Sequence, residues 1–323
     1  MTVHRAVVLP LLLAIASPIY AQARPDSVSL RFAWPVGMSA RVEHEWSRVQ
    51  QSAARRDSTL VRSGYRLRVA PHPEGRLIQI DSFQLRQSDG VRKPGGDAGE
   101  ELLARIGSLL PSSIVSAGGE FRRIANIGTV KAALDSLLAP MRRDLATAPP
   151  QLKALLERAS SQEALTASAA QEWNILVGTW VGVDWEIGAL YEYSAKEPIP
   201  YLPGQQVTMN YEFAAAERVA CPGEEGRGCV ELVMRSQPDS TELATVVRGF
   251  LESVAPKERA AIAGLRSMRM LNELTVITNP STLAPHWVEL IRFTEMAVPA
   301  SRGGPAGTMT RVDRRASRYR YER

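Results

Sequence analysis

Histidine is the side chain best suited to catalysis at neutral pH, and this sequence uses it sparingly. Beyond His4 there are only His44, His72 and His286, and none has a partner at a metal-ligand spacing such as H-E-x-x-H. The chain also lacks a G-x-S-x-G elbow, an S-x-x-K pair, a Walker A motif and a G-x-G-x-x-G motif. We therefore expect no metal and no cofactor. Enzyme status stays open, with a non-enzyme favoured, because catalytic residues need not be close in sequence.

The two cysteines predict a disulfide rather than a reactive thiol. Cys221 and Cys229 flank a Pro/Gly-rich turn sequence, and strand-like segments lie on both sides of it. Two cysteines across a hairpin loop are expected to pair in an oxidising compartment.

A cluster of tryptophans is the one local feature that stands out. Trp173, Trp180 and Trp185 lie close together, and Tyr191 and Tyr193 follow. One interpretation is a platform for an apolar ligand or a protein partner, since these side chains bury a large area. The other is that the cluster fills the core between two parts of the chain. Both interpretations stay open at this point.

The C-terminus is rich in arginine, and the whole chain carries a formal net charge of +5. One interpretation is an edge strand with a charged outer face. The other is contact with an anionic envelope surface such as phospholipid headgroups or polyanionic glycans. The residues concerned are Arg311, Arg314, Arg315, Arg318 and Arg320.

The N-terminus has the pattern of a secretory signal peptide. A short basic start precedes the apolar run 6–16, and Ala21-Gln22-Ala23 forms an A-x-A site. We expect residues 1–23 to be removed by cleavage near Ala23, and the mature chain to be periplasmic or secreted. No later apolar run is long enough to cross a bilayer, so no transmembrane segment is expected there. Export also disfavours a nucleic-acid partner.

Around these residues the hydrophobic pattern predicts an α+β protein. Alternating apolar residues predict strands at 38–46, 65–69, 77–85, 270–278, 287–293 and 309–321, with a bulge near Asp81 that reconciles two apolar faces. Residues at three- and four-residue spacing predict a helical insert at about 127–170, whose last helix begins with a Ser160/Glu163 capping box. Another helix is predicted after Asp239.

Two short matches at nearly one displacement suggest an internal duplication. Gly37–Trp46 aligns with Gly204–Phe213, and Pro111–Ile114 aligns with Pro280–Leu283. The fold class predicted is therefore two related curved antiparallel sheets with helices packed on them. We expect an N-terminal half at 24–190 with the helical insert, and a C-terminal half at 191–323 with the disulfide hairpin. The alternative is that hairpins with polar outer faces simply look alike.

The chain resembles a family of exported bacterial β-rich proteins of unknown function. The shared features are the signal peptide, the opening strand Gly37–Trp46, the turn Ser116–Phe121, the central helices and the tryptophan-containing junction. The resemblance implies a structure and no activity. The layout is also similar, in topology only, to the half-barrels of periplasmic lipoprotein carriers, in which a curved sheet and a helical lid enclose an apolar cavity.

Three functions follow from this sequence. The first is a non-enzymatic binding protein that holds an apolar or lipid-like ligand in a sheet cavity. The second is a structural or interaction module of the envelope, in which the same residues pack solidly. The third is an enzyme with a polar cleft of ionisable groups. The candidate ligand-binding residues are Val42, Trp46, Val207, Met209, Tyr211, Phe213, Trp173, Trp180 and Trp185.

Overall fold

A computed structural model describes most of the chain. The described residues are 26–53, 55–89, 110–144, 149–199, 202, 204–224, 228–255, 259–265, 268–298 and 307–322. The signal-peptide prediction, which concerns residues 1–23, lies outside this part.

Most of the fold is antiparallel sheet. The first six strands are β1 (Ser27–Ser29), β2 (Ser39–Gln51), β3 (Arg56–His72), β4 (Gly75–Asp89), β5 (Ser113–Val115) and β6 (Phe121–Ile124). The later strands are β7 (Asp184–Glu186), β8 (Tyr191–Pro198), β9 (Gln206–Ala220), β10 (Gly228–Pro238), β11 (Met268–Thr278), β12 (Pro285–Val298) and β13 (Gly307–Tyr321).

The helices fall in two places along the chain. The central group is α1 (Ile127–Asp144), α2 (Pro150–Ala159), α3 (Gln162–Trp173) and the π-helical turn Asn174–Gly178. Between β10 and β11 lie α4 (Ser240–Val254) and α5 (Arg259–Ile262). No helix in the described ranges is both long enough and apolar enough to cross a membrane. The α+β prediction is confirmed.

Eleven strands form one sheet in the order β6-β5-β4-β3-β2-β13-β12-β11-β10-β9-β8, and β1 pairs with β7 in a small second sheet. Strands β2–β6 and β8–β13 are two consecutive meanders, joined where β2 pairs with β13. Both predicted halves therefore contribute to one sheet. In the second meander the helices α4 and α5 interrupt the strands, whereas β3 and β4 follow one another directly in the first. The duplication and the domain boundary stay predictions.

The large sheet has two chemically different faces. The inner face carries Val42 and is covered by residues 28–34, by α3 and by the π-helical turn, and it holds the apolar core. The outer face carries Glu43 and Glu45, which pair with arginines of β3, β4 and β13. Alternation of side chains along each strand produces this separation.

Of two predicted local features, the bulge near Asp81 is confirmed and the cap of α3 lies one residue later than predicted. The bulge near Asp81 is present: Arg66 pairs with Asp81 while Gly64 pairs with Gln84, and Ser82 has φ 56°. The capping box is one residue out of register. Ser161, not Ser160, caps α3 by accepting a hydrogen bond from the amide of Ala164, whereas the Ser160 hydroxyl donates to carbonyls at the end of α2.

The edge-strand interpretation of the C-terminus is wrong. β13 lies in the middle of the sheet, between β2 and β12. Its arginines are accommodated there because glutamates of the flanking strands face them: Arg314 pairs with Glu45 and Glu289.

Candidate functional site

A cavity of about 370 Å³ lies under the inner face of the large sheet. Strands from both meanders form its floor, and α3 with the π-helical turn lies over it. Single π-helical turns within helices are often found at functional sites. The apolar lining residues are Trp34, Leu67, Ile78, Ile80, Phe83, Leu110, Pro111, Ala169, Trp173, Ile175, Leu176, Leu274, Val288 and Leu290. The polar ones are His44, Ser63, Tyr65, Ser113, Glu172, Arg315, Ser317 and Tyr319.

Two opposite charges lie at the mouth of this cavity. Glu172, in the last turn of α3, and Arg315, on the inner face of β13, both line it and both remain accessible to solvent. The surrounding protein partly desolvates the carboxyl group of Glu172. Burial raises the pKa of its carboxyl group, and the positive charge of Arg315 offsets only part of that rise. Within the described residues neither side chain has a hydrogen-bonded or ion-pair partner.

His44 and Ser317 form a cross-strand pair on the cavity floor. β2 and β13 place them opposite each other, and 2.9 Å separates the His44 Nδ1 atom from the Ser317 hydroxyl oxygen. Burial, with a smaller contribution from the Arg315 charge, holds the pKa of His44 below its usual value. His44 is therefore a neutral imidazole at neutral pH, as expected for a histidine on an apolar strand face.

Two tyrosines close another side of the cavity. Tyr65 of β3 and Tyr319 of β13 both line it. Burial raises the pKa of Tyr319 to about 12 and that of Tyr65 well above its ordinary value. Both are therefore neutral phenols. The polar groups that surround Glu172 and Arg315 thus add hydrogen-bonding capacity without adding charge.

One indole N–H in the cavity wall is unsatisfied. Trp34 is 1% exposed, and its Nε1 atom has no hydrogen-bond partner in the described part of the chain. By contrast, the Trp173 Nε1–H donates to the Gly119 carbonyl at 2.6 Å, although the two rings lie only 5.4 Å apart. Buried indole N–H groups usually find an acceptor.

The three clustered tryptophans are buried in the core. The Trp180 Nε1–H donates to the Ile175 carbonyl at 2.8 Å, and its ring lies 5.3 Å from that of Trp185. Of the nine candidate ligand-binding residues, only Trp173 lines the cavity. Trp173 therefore belongs to the core and also lines the cavity, while Trp180 and Trp185 are buried in the core and do not line it. The platform interpretation stays a prediction.

The other candidates lie on the inner face but away from the cavity. On β2, Val42 is buried, and the Arg48 guanidinium lies over the Trp46 ring, 4.8 Å from the ring centroid. The β9 candidates lie two strands from β11, beyond the cavity wall, and their aromatic rings stack on one another or pack against Trp180. These residues are Val207, Met209, Tyr211 and Phe213.

The five C-terminal arginines do not form one surface. Alternation along β13 places Arg311 and Arg315 on the inner face and Arg314, Arg318 and Arg320 on the outer face. Several are already paired: Arg311 with Asp313, Arg314 with Glu45 and Glu289, and Arg320 with Glu43. Contact with an anionic surface stays a prediction, and Arg315 has a different environment from the other four.

The predicted disulfide Cys221–Cys229 is present between β9 and β10. The buried His286 lies beside it, with ligand atoms of all three residues within 4.8 Å of one another. Because the two sulfurs are bonded to each other, this group has no thiolate with which to hold a metal. A disulfide is compatible with an exported protein.

Sequence reasoning missed most of the polar lining. Glu172 is not among the predicted site residues, and Arg315 is predicted only together with the four neighbouring arginines. The sequence does contain a sign of the polar lining on β2 and β3. His44 and Ser63 are polar residues at positions where alternation predicts the apolar face. Which helix end would approach them was not readable from the pattern.

No family model and no curated protein matches this chain. One solved structure, an outer membrane channel from Pseudomonas putida F1, aligns with 90% of this chain and 98% of its own chain. The identity is 8% and the TM-score is 0.17. At that TM-score the alignment carries no argument about fold or function, and the resemblance to exported β-rich proteins stays a prediction.

Proposed function

We propose that this protein is a non-enzymatic binding protein that holds an apolar or lipid-like ligand in the cavity under the inner face. The observation that supports this most directly is the cavity itself, at about 370 Å³ with predominantly apolar walls. Small-molecule pockets in proteins have volumes of roughly 300–1,000 Å³ and combine apolar walls with a few placed polar groups. This cavity has both properties.

The packing around the cavity favours a binding role over a purely structural one. Protein interiors are normally close-packed, and few voids exceed the size of a water molecule. The structural alternative, an envelope interaction module, requires the inner face to pack solidly against the helices. Here Ile175 and Leu176 of the π-helical turn line a cavity together with Leu274 and Leu290 of the sheet. A ligand that covers these side chains removes apolar surface from water, at about 25 cal/mol per Å².

The proposed site of action is outside the cytoplasm, in the periplasm or beyond the cell. Two features support it: the signal-peptide pattern of residues 1–23 and the disulfide Cys221–Cys229. Cell fractionation with an antibody against the C-terminal half tests this directly. Detection of the full-length, uncleaved chain in the cytoplasm alone would contradict it.

The binding proposal is tested with a neutral apolar fluorophore, N-phenylnaphthylamine. The fluorophore itself is excited, not the tryptophans of the protein. We expect its emission to rise on binding to the purified mature protein. Leu290→Trp fills the cavity and should abolish the rise. The matched control is Ile291→Trp, because Ile291 is the next residue of β12 and points to the outer face, so binding should persist.

Native mass spectrometry of the same protein provides a second measurement. A co-purified lipid-like molecule that is lost in Leu290→Trp and retained in Ile291→Trp supports the proposal. Equal fluorophore binding by the two variants would show that the probe binds elsewhere, and no binding to the folded wild-type protein would favour the interaction module.

A further inference from the structure

We propose that the ligand is an alkyl chain with a carboxylate head group, of the fatty-acid class, and that Arg315 binds the head. This inference rests on the proposed function, since it concerns the same cavity. It starts from a contrast between the arginines of β13. Arg311, Arg314 and Arg320 each pair with a carboxylate, whereas Arg315 has no such partner in the described residues and lines the cavity.

An unpaired guanidinium beside apolar walls suits an anionic amphiphile. The guanidinium presents a planar fork of donors that matches a carboxylate with two parallel hydrogen bonds. It has no acceptor and keeps its charge throughout the physiological range. The apolar lining, which includes Leu290 and Val288 of the neighbouring strand, offers a surface for the alkyl chain. A ligand without an anionic head would leave Arg315 unpaired.

Glu172 decides between an anionic and a cationic ligand. As a carboxylate it would repel an anionic head, but burial already raises its pKa, so a proton can neutralise it at modest cost. Arg315 has no corresponding way to lose its charge. A cationic ligand near Glu172 would therefore always be repelled by the Arg315 charge. The repulsion between an anionic ligand and Glu172 disappears when the Glu172 carboxylate takes up a proton.

The other titratable groups around Glu172 do not change this balance. Tyr65 on β3 and Tyr319 on β13 are neutral phenols, and His44 on β2 is a neutral imidazole at neutral pH. We therefore expect carboxylate binding to be coupled to proton uptake by Glu172, and affinity to fall as pH rises through the pKa of that group.

The Trp34 indole N–H also favours a ligand with a hydrogen-bond acceptor. It is a donor without a partner in the described residues, as is Arg315, and both line the same cavity. Indole N–H groups can only donate. Both groups are donors, and a ligand that forms a hydrogen bond with either must bring an acceptor.

The test compares dodecanoate, dodecanol, dodecyl phosphate and dodecyltrimethylammonium by displacement of N-phenylnaphthylamine. Arg315→Gln should weaken dodecanoate binding by about tenfold or more, the value of one charged hydrogen bond, and should leave dodecanol nearly unchanged. Arg62→Gln, a strand arginine of the outer face, is the matched control and should change neither. Glu172→Gln should tighten dodecanoate binding at alkaline pH and flatten its pH dependence.

The outcomes separate this inference from the proposed function. Dodecanol binding with dodecanoate unaffected by Arg315→Gln would keep the function and overturn the inference. Tighter binding of dodecyltrimethylammonium, lost in Glu172→Gln, would also overturn it and make Glu172 the counter-ion. Tighter binding of dodecyl phosphate than of dodecanoate would overturn the carboxylate assignment. Failure of every probe to bind the folded protein would instead overturn the proposed function.

Discussion

The Trp173 indole N–H donates to the Gly119 carbonyl at 2.6 Å and so joins the end of α3 to the turn between β5 and β6. The two residues are far apart in sequence, and both the hydrogen bond and the ring are buried. The Trp173 ring also packs edge-on against Phe32, in the segment that crosses the inner face. One side chain therefore links three separate parts of the chain at the wall of the cavity.

Trp173→Phe should destabilise the fold by about 2–3 kcal/mol, since it removes ring volume from the core and leaves the Gly119 carbonyl without its donor. The measurement is the free energy of unfolding in urea. Trp46→Phe is the control: Trp46 is half-buried and its ring interacts with Arg48, so its loss should cost about 1 kcal/mol or less. Equal losses for the two variants would contradict this account of Trp173.

Gly119→Ala should cost about 3 kcal/mol. Gly119 has φ +92°, which side-chain-bearing residues rarely adopt, and an added Cβ would lie 2.8 Å from the Phe32 side chain. Gly188→Ala is the matched control, with φ +80° and no atom within 4 Å of the added Cβ. It carries the backbone strain alone, about 1 kcal/mol. Thermal and urea unfolding should rank the two variants in this order, and the reverse order would show that the Phe32 contact relaxes.

Asp313→Asn should cost about 2 kcal/mol, the value expected for hydrogen bonds to a charged, mostly buried acceptor. Asp313 accepts hydrogen bonds from Arg48 at 2.7 Å and Arg311 at 2.5 Å. Burial alone would raise the pKa of Asp313, but these two arginines more than offset it and hold the pKa low. Asp57→Asn removes the exposed pair with Arg55 and should cost less than about 0.5 kcal/mol. Urea unfolding at neutral pH measures both, and similar values would indicate that solvent screens Asp313 as well.

His44→Gln should reduce the loss of stability in mild acid. Burial and the Arg315 charge hold the pKa of His44 below its usual value, so the unfolded chain binds this proton more readily than the folded one. The contribution of His44 to stability is therefore complete above about pH 6.5 and is lost as the pH falls below it. Glutamine does not titrate and keeps a hydrogen-bonding partner for Ser317. Unfolding free energies measured from neutral pH down to about pH 5 should converge for wild type and variant, and parallel curves would contradict this prediction.

Local pattern predicted the elements well where one face of an element is buried. The apolar positions of 38–46 and 127–145 specify a strand and a helix, and β2 and α1 lie there. The bulge in β4 was readable because two incompatible apolar faces met near Asp81. The α3 cap was misplaced by one residue because two adjacent serines compete, and the hydrogen bond of Ser160 to the end of α2 decides between them.

The sequence by itself determined the α+β class, the positions of most strands and helices, and the pairing of Cys221 with Cys229, because each depends on neighbours within one hairpin or one helix. Only the tertiary structure decided that β13 is central, that Arg315 alone of the five arginines lines the cavity, and that Glu172 lines the same cavity. Those relationships join residues more than a hundred positions apart, and strand order, which sets them, leaves little trace in local periodicity. An arginine-rich strand reads as an edge until its partners, with their matching glutamates, are known.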